Sequence, residues 1–232
     1  MKRVFALLAA AAAVLAAPVA FAPGNAAAQA RRDWTQMIVA TPEGGFRMGN
    51  PAARLKVVEF VSLTCPHCRD FAATGARMLV DRYVRTGAAS FEIRAFPLDP
   101  VASMAAQLAR CAPVGQQFAI NDAILAAQQQ WIGRLQALSN EQMSALEQLP
   151  EPELRVRLAS VMQLDAIAAR HGVSAARLRP CLADEAGARR IAAIKAGGER
   201  LGVSGTPSFL INGRLQDHVH DWTALEPLLR GR

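Results

Sequence analysis

The sequence predicts an α/β fold in which a long helical subdomain interrupts a mixed β-sheet, and three observations carry that prediction. A β-branched run, a helical run and a second β-branched run follow one another between residues 55 and 96. A helical signal then extends from 101 to 201, after which the chain returns to strand chemistry and turns at Asn212-Gly213. With 52% hydrophobic and 19% charged residues over 232 positions, the chain can bury a core, which excludes a disordered tail and a charge-rich coiled coil. Four cysteines are too few for a disulfide scaffold of this size, and no repeat of solenoid length is present.

Lys2 and Arg3 precede an apolar run over residues 4–17 and an alanine-rich region, the pattern of a cleaved secretory signal over residues 1–30. Cleavage after Ala28 or Ala30 fits the small-x-small rule, and the run is shorter than the ~20 residues a membrane span needs. The formal charge of +7 includes Lys2 and Arg3, leaving +5 on scattered residues, so nucleic acid is not an expected partner. Export places the mature chain in an oxidising compartment, the periplasm.

The elements follow in order. Residues 37–39 and 46–48 are short apolar stretches separated by Pro42, Gly44 and Gly45, which fits a short strand pair or an extended arm. Leu55–Val61 is β-branched and almost continuously apolar, as in a central strand covered on both faces. It runs into Cys65-Pro66-His67-Cys68, and Phe71, Met78, Leu79, Tyr83 and Val84 then recur at helical spacing until Gly87. Cys65 therefore sits at a helix N-terminus, where Pro66 costs no hydrogen bond. A strand over 90–96, ended by Pro97, completes a βαβ unit with parallel strands. Helices are expected over 101–112, 114–131, 140–149, 153–171, 175–182 and 185–201, with Pro113 as a breaker, Gly172 as a C-cap, and Ser174 and Asp184 as N-caps. A hairpin over 207–216 turns at Asn212-Gly213, because a type I′ turn needs positive φ at both positions. Asp221 caps a closing helix, Trp222–Leu229.

Cys65-Pro66-His67-Cys68 carries the chemistry. Two thiols three positions apart at a helix start can be bridged reversibly, with the first sulfur exposed and the second turned inward. The helix N-terminus and His67 favour the Cys65 thiolate, which makes the disulfide a stronger oxidant. A bare C-x-x-C equally fits zinc, but Cys111 and Cys181 are isolated and supply no second closely spaced ligand pair. No metal site is assigned. His218 and His220 would share a face in a strand, and the simpler account is a pair of solvated loop histidines.

Strand, C-P-H-C, long helical insertion, Gly205-Thr206-Pro207 and Asn-Gly hairpin together resemble the DsbA family of exported thiol-disulfide oxidoreductases, on a thioredoxin-like fold. The resemblance runs from about Gly49 to the C-terminus. It implies a nucleophilic Cys65, a buried resolving Cys68, a tuning His67 beside Pro66, a cis peptide at Pro207, and a Thr206 backbone that pairs with an extended substrate segment. Glu59 lies inside the first strand, where the family carries an acid. Burial would raise its pKa and let it exchange a proton with Cys68, and a strand-end carboxylate reaching water is the alternative. Cys111 and Cys181 are either free buried thiols or a second pair, and export favours pairing; the pair is read as a structural disulfide, with redox tuning as the alternative.

The segmentation expected from this resemblance is a signal peptide at 1–30, an N-terminal arm or short strand pair at 31–50, and thioredoxin-like parts at 51–100 and 185–232 flanking a helical insertion at 101–184. The implied activity is insertion of disulfides into exported proteins with cysteine pairs, without a cofactor, and with a DsbB-like, quinone-coupled membrane oxidase restoring the disulfide. A disulfide isomerase or reductase fed by a membrane thiol donor, and a periplasmic copper-binding thiol protein using soft Cu(I)-binding thiolates, are the other readings.

Overall fold

The computed structural model describes residues 33–230; the secretory signal expected at 1–30 lies outside them. Six strands form one sheet: β1 (Ile38–Ala40), β2 (Phe46–Gly49), β3 (Leu55–Val61), β4 (Ala89–Ala95), β5 (Ser208–Ile211) and β6 (Arg214–Leu215). Their order is β1-β2-β4-β3-β5-β6. β3 and β4 are parallel, as the βαβ reading requires, with Val57 opposite Phe91 and Glu59 opposite Ile93. β5 runs antiparallel to β3 and β6 antiparallel to β5. Asn212 (φ 51°) and Gly213 (φ 80°) both take the left-handed conformation that the hairpin demands. Residues 37–49 are a strand pair rather than a free arm, because β2 hydrogen-bonds to β4 with Phe46 opposite Ile93 and extends the sheet.

The central strand separates two cores by simple alternation. Leu55, Val57 and Val61 join Phe91, Ile93, Phe209 and Ile211 in the large core, whereas Val58, Phe60 and Leu210 form a smaller one with Phe96 and Val203. Glu59 lies on the large-core side, between Ile93 and Phe209 in the register.

Helices cover this sheet. α1 (Pro66–Ala73) follows β3, and α2 (Gly75–Leu79) continues through a π-helical turn at Val80–Val84. The single helix expected here is broken at Thr74 (φ −128°, ψ −67°), whose hydroxyl donates to the Asp70 carbonyl at 2.9 Å and so competes with the regular ladder. The insertion contains α3 (Pro100–Arg110), α4 (Gln117–Ala126), α5 (Gln128–Gln136), α6 (Asn140–Glu147), α7 (Glu151–Val161), α8 (Leu164–Arg170) and α9 (Ala175–Ala183). The helix expected over 114–131 divides at Ala127 (ψ 4°), and that over 153–171 divides at Gln163, which adopts φ 58°. Neither break carries Gly or Pro. α10 (Glu185–Arg200) is capped by Asp184, which accepts from the N–H groups of Ala186 and Gly187, while Ser174 holds the N-cap position of α9 without a side-chain bond. α10 crosses the smaller core, where a Cβ on Gly198 would come within 2.8 Å of the Phe60 ring. α11 (Trp222–Leu229) closes the chain, with Asp221 capping it through Ala224 N–H.

Candidate active site

β3 delivers the chain to Ser62–Cys65, and α1 begins immediately after it. Cys65 is the N-cap with an extended backbone, and Pro66 is the first helical residue. The N–H groups of the first turn have no helical partners, so they face the Cys65 sulfur. Cys65 and Cys68 are both free thiols. Cys68 is 0% exposed; Cys65 is only 5% exposed, so the first sulfur is more covered than the sequence implied. The covering element is the turn before β5, where the Thr206–Pro207 peptide is cis and the Cys65 thiol donates to the Thr206 carbonyl at 3.2 Å. The Thr206 hydroxyl is buried without a hydrogen-bond partner, near enough to the Cys65 sulfur to favour its ionised form.

These contacts divide the two thiols sharply. The Cys65 pKa is held down to about 5, chiefly by the Cys68 thiol donating to it. The Thr206 hydroxyl and the N–H groups of Cys68 and His67 add to this, against the opposing effect of burial. Burial pushes Cys68 far above the ordinary thiol range, helped by its bond to Cys65 and by the negative charge of Glu59. Glu59 is 4% exposed, and burial likewise raises it well above a normal carboxyl, with Asp122 and Cys65 adding repulsion. Asp122, exposed at its outer edge, is itself raised to about 6 by desolvation, with Arg77 opposing the shift. Glu59 has no hydrogen-bonding side-chain partner among the described residues, which leaves its proton free to move.

A family model described as Thioredoxin matches residues 41–230. The chain belongs to this thioredoxin family. Among solved structures it is similar to a protein-disulfide isomerase from Novosphingobium aromaticivorans, 36% identical with a TM-score of 0.73, covering 80% of this chain and 95% of that one. It also shares its fold with alpha-DsbA1 of Wolbachia pipientis, at 21% identity and a TM-score of 0.62 over 79% of this chain and 87% of that one. A chain from Rickettsia conorii described as a candidate protein-disulfide oxidoreductase is 30% identical over 168 residues, 72% of this chain and 52% of the other. The chain spans about half the length of the curated relatives it matches.

On this thioredoxin-family frame, Cys65, Cys68, Glu59, Thr206 and Pro207 converge at one end of the sheet. His67 reaches the sulfur through its main-chain N–H, and its exposed ring makes no hydrogen bond among the described residues. Cys111 and Cys181 lie elsewhere, in a disulfide that ties the end of α3 to α9. His218 and His220 share no strand face: His218 has φ 60°, and His220 Nδ1 instead bonds the Pro207 carbonyl at 2.9 Å. No group of three or more His, Cys, Asp or Glu side chains suited to a metal exists among the described residues.

Three supports of the site were missed in the sequence. Gln128, 2% exposed at the start of α5, donates from one amide nitrogen to the carbonyls of Leu63 (2.8 Å) and Cys65 (2.9 Å). Asp99 caps α3 through Ala102 N–H and accepts from the Thr64 hydroxyl at 2.6 Å. His220 steadies the proline turn. The break at Ala127 that lets Gln128 point inward has no sequence signal, whereas Asp99 before Pro100 is a readable cap.

Proposed function

We propose that this protein is a periplasmic thiol:disulfide oxidoreductase that donates the Cys65–Cys68 disulfide to cysteine pairs in other exported proteins. The asymmetry of the pair supports this most directly: one thiol is held near pKa 5 and the other far above neutrality. A substrate thiolate attacks the Cys65 sulfur, a mixed disulfide forms, and Cys68 leaves as a thiolate that takes a proton from Glu59. The second substrate thiolate then attacks the substrate sulfur of the mixed disulfide. Cys65 departs as the stable thiolate, so two electrons pass from substrate to protein and the substrate disulfide closes. The low pKa of Cys65 makes it the better leaving group. Thr206 pairs with the extended substrate backbone beside Pro207, and a quinone-coupled membrane oxidase of DsbB type reoxidises the pair.

The name of the Novosphingobium relative favours a second reading, a disulfide isomerase kept reduced by a membrane thiol donor. Equilibration of the mature protein in glutathione buffers, with alkylation of Cys65 as readout, separates the two. A potential near the roughly −120 mV of DsbA is expected; a value near the roughly −270 mV of thioredoxin overturns the donor reading. Cys68→Ala should trap substrate as a mixed disulfide on Cys65, whereas Cys65→Ala should lose all turnover.

A further inference from the structure

A cavity of about 750 Å³ opens between the turn joining β1 to β2, the end of β4, the end of α3 and the outer face of α10. It shares no residue with the thiol site. Four arginines line it, Arg94, Arg110, Arg190 and Arg200, against one acidic residue, Glu43. Arg94 is engaged, bonding Glu92 at 2.7 Å and lying 3.6 Å from Glu43. Arg190 and Arg200 have no carboxylate partner among the described residues. Arg110 has none either, yet it is fixed in place: Nη1 donates to the Gly44 carbonyl at 2.7 Å and the guanidinium stacks 4.7 Å from the Phe46 ring centroid.

The volume is built into the sequence of α10. Along the lining face Ala193, Ile194 and Gly197 fall between Arg190 and Arg200; Ile194 packs under Gly44, while Ala193 and Gly197 leave the remaining width open between the two guanidinium groups. Ten residues of helix set those ends about 15 Å apart. The opposite wall is equally constrained, because Gly44 (φ +88°) packs so close to α10 that a Cβ would meet Ile194 at 2.7 Å. Burial, and then the charge of Arg190, hold the Arg110 pKa below its ordinary value, as expected of cations gathered without a counter-ion. A neighbouring hollow shares Glu43 and Arg94 and adds Glu92, Lys56 and Arg47, whose Nε is buried without a partner.

Arg190 and Arg200 are exposed with no carboxylate to satisfy them, and guanidinium forks match the paired oxygens of phosphate. We propose that this cavity binds a small, multiply charged phosphate compound, with Arg110 and Arg190 gripping one phosphoryl group and Arg200 the other end. The size suits a small molecule rather than a folded partner.

Calorimetric titration of the mature protein with inorganic pyrophosphate tests this. Saturable binding is expected, weakened at least about tenfold by Arg190→Gln, a surface change that touches no packed element, and by Arg110→Gln. Arg157→Gln, on the exposed face of α7, removes the same charge elsewhere and should leave affinity unchanged, as all three variants should leave insulin reduction unchanged. Equal weakening by Arg157→Gln, or no binding at all to pyrophosphate or to vesicles carrying phosphatidic acid, would overturn the proposal. Arginine-dependent binding to those vesicles alone identifies a lipid headgroup as the phosphate source, and arginine-dependent binding to free pyrophosphate a soluble one. Binding to polyglutamate without binding to either phosphate probe rejects the site in favour of an acidic peptide surface.

Discussion

At the scale of single residues, the chemistry depends on how unequally Cys65 and Cys68 hold a proton. An unfolded cysteine titrates near 8.5, so a thiolate held near 5 stabilises the reduced protein above about pH 8.5 in full and loses that contribution as pH falls toward 5. At neutral pH the contribution is about 2 kcal/mol after allowance for solvent screening. The oxidised protein has no such thiolate, so the stability gap between the two redox forms should narrow steadily between pH 7 and 5. Denaturant melts of each form across that range check it, together with a thiolate absorbance midpoint near 5. Glu59 acts on the other sulfur. Glu59→Gln should slow reduction of substrate disulfides by the dithiol form about tenfold or more and flatten its pH profile, with Glu59→Asp recovering part of the rate. An unchanged profile would remove Glu59 from the proton path. The residue-scale chemistry was legible in the sequence wherever one short motif held it: Cys65 through Cys68 are contiguous, and Glu59 stands out in an apolar strand. The degree to which Cys65 is covered was not legible, because the cover comes from Thr206, 141 positions away.

At the scale of elements, the legible boundaries are those that local chemistry enforces. Asp184 and Asp221 cap helices by accepting backbone N–H groups, and Asn212-Gly213 turns the hairpin because both residues reach positive φ. The break at Thr74 sits at a readable Thr-Gly step, whereas those at Ala127 and Gln163 were hidden, since each lies in good helical sequence and tertiary packing decides it. Ala127 has a consequence, because it starts a new helix with Gln128 aimed at the active-site loop. Gln128→Leu removes the donor to the Leu63 carbonyl and one of two donors to that of Cys65, which keeps its bond from the Arg69 N–H. The cost is about 1–3 kcal/mol, which lowers the melting temperature by several degrees. A purely structural role would stop there. As a positioning residue for Cys65, Gln128 should also shift the thiolate midpoint upward, and the absorbance titration of the variant reads that directly.

At the scale of the whole molecule, the helical insertion is closed on itself by Cys111–Cys181, which spans a separation of 70 residues. Chain-entropy reasoning puts the loss on replacing both cysteines by alanine at about 4 kcal/mol. The double variant should melt lower while keeping most of its activity; full loss of activity in a folded variant would give the bridge a redox role instead. The architecture of mixed sheet plus helical insertion could be read from the order of periodicities, whereas the pairing of β2 with β4 could not, because a two-residue register or a free arm has the same local pattern as a paired edge. That pairing also shapes the rim of the sheet. The outermost strands are three residues (β1) and two residues (β6) long, so neither side presents a row of unsatisfied backbone groups that another chain could extend. A donor of disulfides to newly exported chains, as proposed above, would meet many sticky, extended segments. Under the proposed function, blunt margins would keep it from seeding their aggregation and confine strand-like pairing to the proposed contact beside Thr206.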